Sequence, residues 1–123
     1  MKFASRVFNV AGIYGLIAMF PQYFLENKIG VDTPPAITHP EYFYGFIGIG
    51  VAWQVMFLTI ARDPVRFRPA MIAAVLEKLT FGIAAIVLYS GGRIAPTVLL
   101  FACIDLVLGT LFVLSYRATR THP

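Results

Sequence analysis

The chain has 123 residues, of which 59% are hydrophobic and only 13% charged, with mean hydropathy +0.76 and a formal net charge of +4. A typical soluble domain is about 25% charged, so this composition excludes a soluble globular enzyme, a disordered tail and a nucleic-acid module, and the length allows one domain. The basic residues stand beside apolar runs, a pattern of membrane topology rather than of nucleic-acid binding.

A helix crossing the hydrocarbon core needs roughly 20 mostly apolar residues. The charges divide the chain into four such pieces, at about 7–25, 42–61, 69–90 and 94–116. No segment alternates with the short period of a membrane β-barrel, which leaves helices as the way to satisfy the backbone in lipid. The expected fold is therefore all-α: a transmembrane four-helix bundle with antiparallel neighbours in one transmembrane domain.

The first span follows Lys2 and Arg6, which resemble the charged start of a signal peptide. Met19-Phe20-Pro21-Gln22-Tyr23-Phe24 offers no small-residue cleavage site, so the span is read as retained. Pro21 is expected to kink or end its helix. The connection from Glu26 to Glu41 carries Asn27, Gly30, Asp32, Pro34, Pro35 and Pro40 and is expected to be irregular. Asp63-Pro64 and Gly91-Gly92 predict tight turns.

Lys and Arg set orientation. Lys2, Arg6, Arg62, Arg66, Arg68, Arg117 and Arg120 fall on one side, against Lys28 and Arg93 on the other. The expectation is a multi-pass protein of the cell inner membrane with both termini cytoplasmic. The loop bearing Arg62, Arg66 and Arg68, with Phe67 among them, could meet anionic lipid headgroups, although setting topology is reason enough for its charge.

Helices in lipid pack through small residues. Candidate packing faces are Ala11, Gly15 and Ala18; Gly45, Gly48 and Ala52; Ala70, Ala73, Ala74 and Ala84; and Ala102 and Gly109. They serve packing between the spans or, alternatively, association with a second copy or another membrane protein. Cys103 reads as a small packing residue, because a single cysteine makes no intrachain disulfide or redox motif.

The residues that carry chemistry are Gln54, Glu77, Lys78 and Asp105, all within spans. Intramembrane ionisable residues are costly and usually face protein or water. Glu77, Asp105 and Gln54 each share a helical face with small residues and are expected to point inward; Lys78 lies about 100° from Glu77 and either reaches Asp105 or snorkels. By helical rise, Gln54 is roughly 12 Å from Arg62 and Glu77 roughly 13 Å from Arg68, with Asp105 near the midplane. Two acids face one base, and a carboxylic acid left over beside a pathway can relay a proton; alternatively, the set is a structural network joining helices. Trp53 either lines the same pocket or packs. Tyr23, Tyr42 and Tyr44 fit an aromatic belt. His39 and Glu41, with His122 at the other end, are too few for a metal site, and no cofactor is expected.

The stretches His39-Pro40-Glu41-Tyr42-Phe43-Tyr44-Gly45-Phe46, Ala61-Arg62-Asp63-Pro64 and Val75-Leu76-Glu77-Lys78, with four spans in about this length, resemble small bacterial inner-membrane proteins of the DoxX-like kind. That resemblance is one of architecture and implies no residue role. Small multidrug resistance transporters are similar in size but carry a Glu in the first span, which is uncharged here. Sterol-isomerase-like membrane proteins are similar in combining intramembrane acids with a Trp, an inventory echoed by Glu77, Asp105 and Trp53.

Three functions stay open at this point. The first is a non-catalytic accessory or partner subunit, expected to be a tight, dry bundle with the polar set fully hydrogen-bonded. The second is a proton-coupled small-solute carrier using Glu77 and Asp105, with water reaching Asp105. The third is a lipid- or quinone-modifying enzyme, with an intramembrane acid pocket lined by Trp53.

Overall fold

The computed structural model describes residues 2–120; His122 lies outside them. The described residues are helical, without strands. The long helices are α1 (Lys2–Met19), α3 (Pro40–Arg62), α4 (Ala70–Ser90) and α5 (Pro96–Ala118), with a short α2 (Glu26–Asp32) between the first two. A 3-10 segment, Phe20–Phe24, extends α1. Four segments are long and apolar enough to cross a membrane: Lys2–Phe24, Pro40–Arg62, Ala70–Ser90 and Pro96–Ala118.

Local chemistry sets most of the boundaries. Pro21 has no N–H to donate, and α1 stops at Met19, two residues before it. Gln22 Nε2 then donates to the Ala18 carbonyl at 3.0 Å, satisfying an acceptor of the last turn. The connection expected to be irregular contains α2. No proline interrupts Glu26–Asp32, Glu26 occupies the first turn, and Lys28 pairs with Asp32 one turn later at 2.8 Å. Asp32 raises the Lys28 pKa through that contact. Irregular chain is confined to the stretch after α2, around Pro34 and Pro35. The last span starts at Pro96, not at 94, because Ala95 is held extended before a proline that opens the helix. Asp63 organises the turn after α3, accepting from the Arg66 N–H at its side chain (3.3 Å) and from the Phe67 N–H at its carbonyl (3.0 Å). Gly92 closes α4 with φ +69°, a conformation that favours glycine.

α1 lies along α3 and also meets α5; α4 lies along α5; α3 and α4 touch sparsely. The core joins α1, α3 and α5 through three buried rings. Phe8 and Phe112 stack at 4.2 Å between centroids, and Phe57 meets Phe112 edge-on at 4.9 Å. The basic ends of the long helices lie together: Ser5 Oγ donates to the Ala61 carbonyl at 2.7 Å, and Arg68 Nε to the Tyr116 carbonyl at 2.9 Å.

Small residues set the approach of helices, but only some of those anticipated. Ala11 and Gly15 are buried against α3, and Gly12, not singled out beforehand, joins them. A methyl on Gly12 would stand 2.9 Å from the Gln54 carbonyl and 2.8 Å from Leu58. On α5, Ala102 and Gly109 are buried as expected, and Gly109 brings Lys78 Cβ to 3.2 Å of a would-be Cβ. On α3 the expected face of Gly45, Gly48 and Ala52 is not the packing face: Gly45 and Ala52 are exposed, and only Gly48 is half-buried, where a methyl would stand 3.3 Å from the Tyr23 hydroxyl. The inward residues are Ile47, Gln54, Phe57, Ile60 and Ala61, because the bulky rings must fill the space between α1 and α5. Ala84 also faces outward, whereas Ala74 and Ala85 are buried. Many large apolar residues remain exposed, among them Val10, Ile17, Ile49, Leu76, Val87 and Val107, as lipid-facing positions require.

Gly12→Ala is expected to destabilise the chain by about 1–3 kcal/mol, because Gln54 backbone cannot yield as a side-chain tip can. Gly45→Ala is expected to be neutral, since nothing lies within 4 Å of its added methyl. Reversible unfolding in detergent micelles compares the two.

Candidate functional site

The intramembrane site is built on α4 and α5. Its centre is Lys78, whose side chain is 3% exposed. The amine donates a hydrogen bond to Asp105 Oδ1 at 3.2 Å and stands 3.5 Å from Glu77 Oε2. It also lies 5.2 Å from the centroid of the Phe57 ring, a favourable position for a desolvated cation. The amine thus meets α3, α4 and α5 at once.

This geometry divides the sequence expectations. Lys78 reaches Asp105 rather than snorkelling. Glu77, expected inward, is the more open carboxylate, 23% exposed against 15% for Asp105. The core face of α4 instead runs through Met71, Ala74, Lys78, Gly82 and Ala85. Gly82 and Gly109 explain the difference. Both lie at the α4–α5 contact, where a side chain on Gly82 would strike Leu106 and one on Gly109 would crowd Lys78. The face bearing Lys78 is therefore the one pressed onto α5, leaving Glu77 on the shoulder.

Gln54 is buried, as expected, but is not part of the ion cluster. Its Nε2 donates to the Gly50 carbonyl of its own helix at 2.9 Å, and its side chain packs onto Gly15 of α1. Gln54 Oε1 is buried without a hydrogen-bond partner, as is Glu77 Oε2. Trp53 packs on Phe57, 6.1 Å between centroids, so it reaches the site only through that ring. It also lines a shallow surface groove with Ala52 and Met56. A second hollow lies in the first connection, lined by Glu26, Asn27, Gly30, Val31, Ala36 and Ile37. Neither includes Glu77, Lys78 or Asp105.

One contributor was missed at the level of sequence. Phe57 looked like any apolar residue of its span; only its place beneath Lys78 marks it.

At the basic end, Arg62 and Arg66 are exposed, with the Arg66 guanidinium 5.4 Å from the Phe67 ring. Arg68 is half-buried and lies 3.6 Å over Tyr116, so its guanidinium closes the α4–α5 end as well as carrying charge. At the opposite end, Tyr44 donates to Glu26 at 2.9 Å and stacks with Tyr23. His39 pairs with Glu41 at 3.2 Å and stacks on Tyr42. Among the described residues no cluster of His, Cys, Asp or Glu could hold a metal ion.

Comparison with known protein families, curated proteins and solved structures finds no match to this chain.

An arrangement of this kind can neutralise charge within a membrane and tie helices together. Removing the amine alone leaves two carboxylates facing each other, and breaking a buried pair in this way costs about 3–5 kcal/mol. Lys78→Met is therefore expected to destabilise the protein by that order. Adding Asp105→Asn to it is expected to restore part of the loss, because the second change removes one of the two stranded charges and the repulsion between them. Unfolding midpoints of the single and double variants measure the difference.

Proposed function

We propose that the chain is a multi-pass inner-membrane protein of bacterial type, a four-helix bundle with both termini cytoplasmic, acting as a non-catalytic accessory or partner subunit. The observation that supports this best is the pairing of the intramembrane charges: Lys78 hydrogen-bonds Asp105 and faces Glu77, and neither of the two hollows described above includes them, although the full hydrogen bonding expected of such a set is not met at Gln54 Oε1 and Glu77 Oε2. A carrier needs a carboxylate that water can reach from each side in turn. An enzyme needs a pocket holding an acid beside substrate, and the groove at Trp53 lacks one among its lining residues.

The orientation rests on charge. Arg62, Arg66, Arg68, Arg117 and Arg120 share one end with Lys2 and Arg6, and contacts such as Ser5 with Ala61 and Arg68 with Tyr116 hold that end together. A collar of this sign suits the cytoplasmic leaflet and its anionic lipids. The DoxX-like resemblance is one of architecture and accords with this reading.

Proteoliposomes loaded with a pH-sensitive dye test the function. An accessory protein is expected to add no proton flux to that of protein-free liposomes under an imposed gradient. Flux that disappears in Glu77→Gln or Asp105→Asn would instead establish a proton-coupled carrier.

A further inference from the structure

The membrane-facing surface beside the α3–α4 seam has a built-in charge requirement. Lys78 gives its hydrogen bond to Asp105 and pairs with Glu77 Oε2 at 3.5 Å, a buried oxygen that takes no hydrogen bond. With one base and two acids, the cluster carries a formal charge of −1 inside the span. Of its two carboxylates the more exposed is Glu77, 23% against 15% for Asp105, on the shoulder of α4 away from α5. The helical period places Ala73, Glu77 and Ala84 on that shoulder. It also places Phe81 beside it, and Phe81 meets Phe46 of α3 at 6.4 Å. Across the seam, α3 turns Gly45, Ala52 and Met56 outward; Ala52, Trp53 and Met56 form the shallow groove. Counted from the basic end, this groove and Glu77 are at a similar depth. The sparse α3–α4 packing leaves the surface open.

From this charge complementarity we infer that the α3–α4 seam docks a transmembrane helix of another protein, one that presents a Lys or Arg at mid-span to Glu77 while its backbone rides on Ala52, Ala73 and Ala84. The inference rests on the accessory reading and supplies the chemistry of the partner. A second copy in two-fold pairing would bring another Glu77 to the same place, and like charges at that depth repel. Small residues give close approach, and the carboxylate gives selectivity for a cationic helix over an apolar one.

The lone Trp of the chain, Trp53, lies in the groove and serves as a local donor. Energy transfer from Trp53 to a dansyl-labelled leucine–alanine transmembrane peptide is measured in phosphatidylcholine vesicles, with either Lys or Leu at the peptide's central position. The Lys peptide is expected to associate about tenfold more tightly, the gain typical of one interhelical polar contact. Glu77→Gln is expected to remove that preference. Ala52→Leu, at a lipid-exposed position, is expected to block both peptides by filling the groove. Val107→Leu, on the exposed face of α5, is expected to change nothing. Equal association of the two peptides, or a Lys preference that survives Glu77→Gln, overturns the inference. So does transfer between copies labelled at the exposed Cys103 that Ala52→Leu abolishes, which would assign the surface to a second copy. Absence of peptide binding in a chain that conducts no protons removes the docking surface and leaves the accessory reading standing; proton flux removes the reading itself.

Discussion

A lysine amine buried among apolar helices has to be met by acid, and the arrangement of α3, α4 and α5 follows from meeting it. Lys78 cannot reach water without leaving the face that packs on α5. Its charge is instead shared among Asp105, Glu77 and the ring of Phe57. Each partner arrives on a specified surface. Asp105 is one turn before Gly109, the residue that lets α4 approach, and Phe57 belongs to the ring cluster that joins α1 to α5. Moving any one of these helices would uncover the charge. Apolar side chains alone impose no such register in lipid, where a leucine is as well solvated by acyl chains as by protein.

The two halves of the structure are held by different means. α1 and α3 come together through glycine and alanine, with Gln54 laid over Gly15 and Leu58 over Gly12. α4 and α5 use Gly82 and Gly109 with the ion pair between them. The Phe8–Phe57–Phe112 cluster links the halves near the basic end, where Arg68 also binds Tyr116. Among the described residues the seam between α3 and α4 is fastened only by Phe46 against Phe81 and by the Lys78 amine over Phe57. It is the place proposed for a further helix, and it carries the more exposed of the two carboxylates that face the lysine.

Much of this was legible in the residues. Apolar runs between charges, two of them interrupted only by Glu77 and Lys78 or by Asp105, located the four long helices, Pro21 marked the end of α1, and the distribution of Lys and Arg gathered one end. The meeting of Lys78 with Asp105 was among the two outcomes foreseen. Rotation about each helix axis was harder to read. Counting small residues pointed to Gly45 and Ala52 on α3, yet ring volume decided that helix and turned Phe57 and Ile60 inward. On α4 the alanines around Glu77 looked like a packing face, whereas Gly82 settled the matter in favour of Lys78. α2 escaped notice because the prolines that argue against a helix all follow Asp32. Phe57 could be tied to the site only by tertiary contact.

The most direct test of the Lys78 clamp is dipolar recoupling by solid-state NMR in lipid bilayers, between the labelled Lys78 Nζ and the labelled carboxyl carbons of Asp105 and Glu77. The packing described above predicts strong dephasing at Asp105 and a weaker effect at Glu77, with the nitrogen at an ammonium shift. A lysine nitrogen that dephases neither carboxyl and exchanges freely with water would contradict it, and the helices would then have to be held in register by something other than that charge.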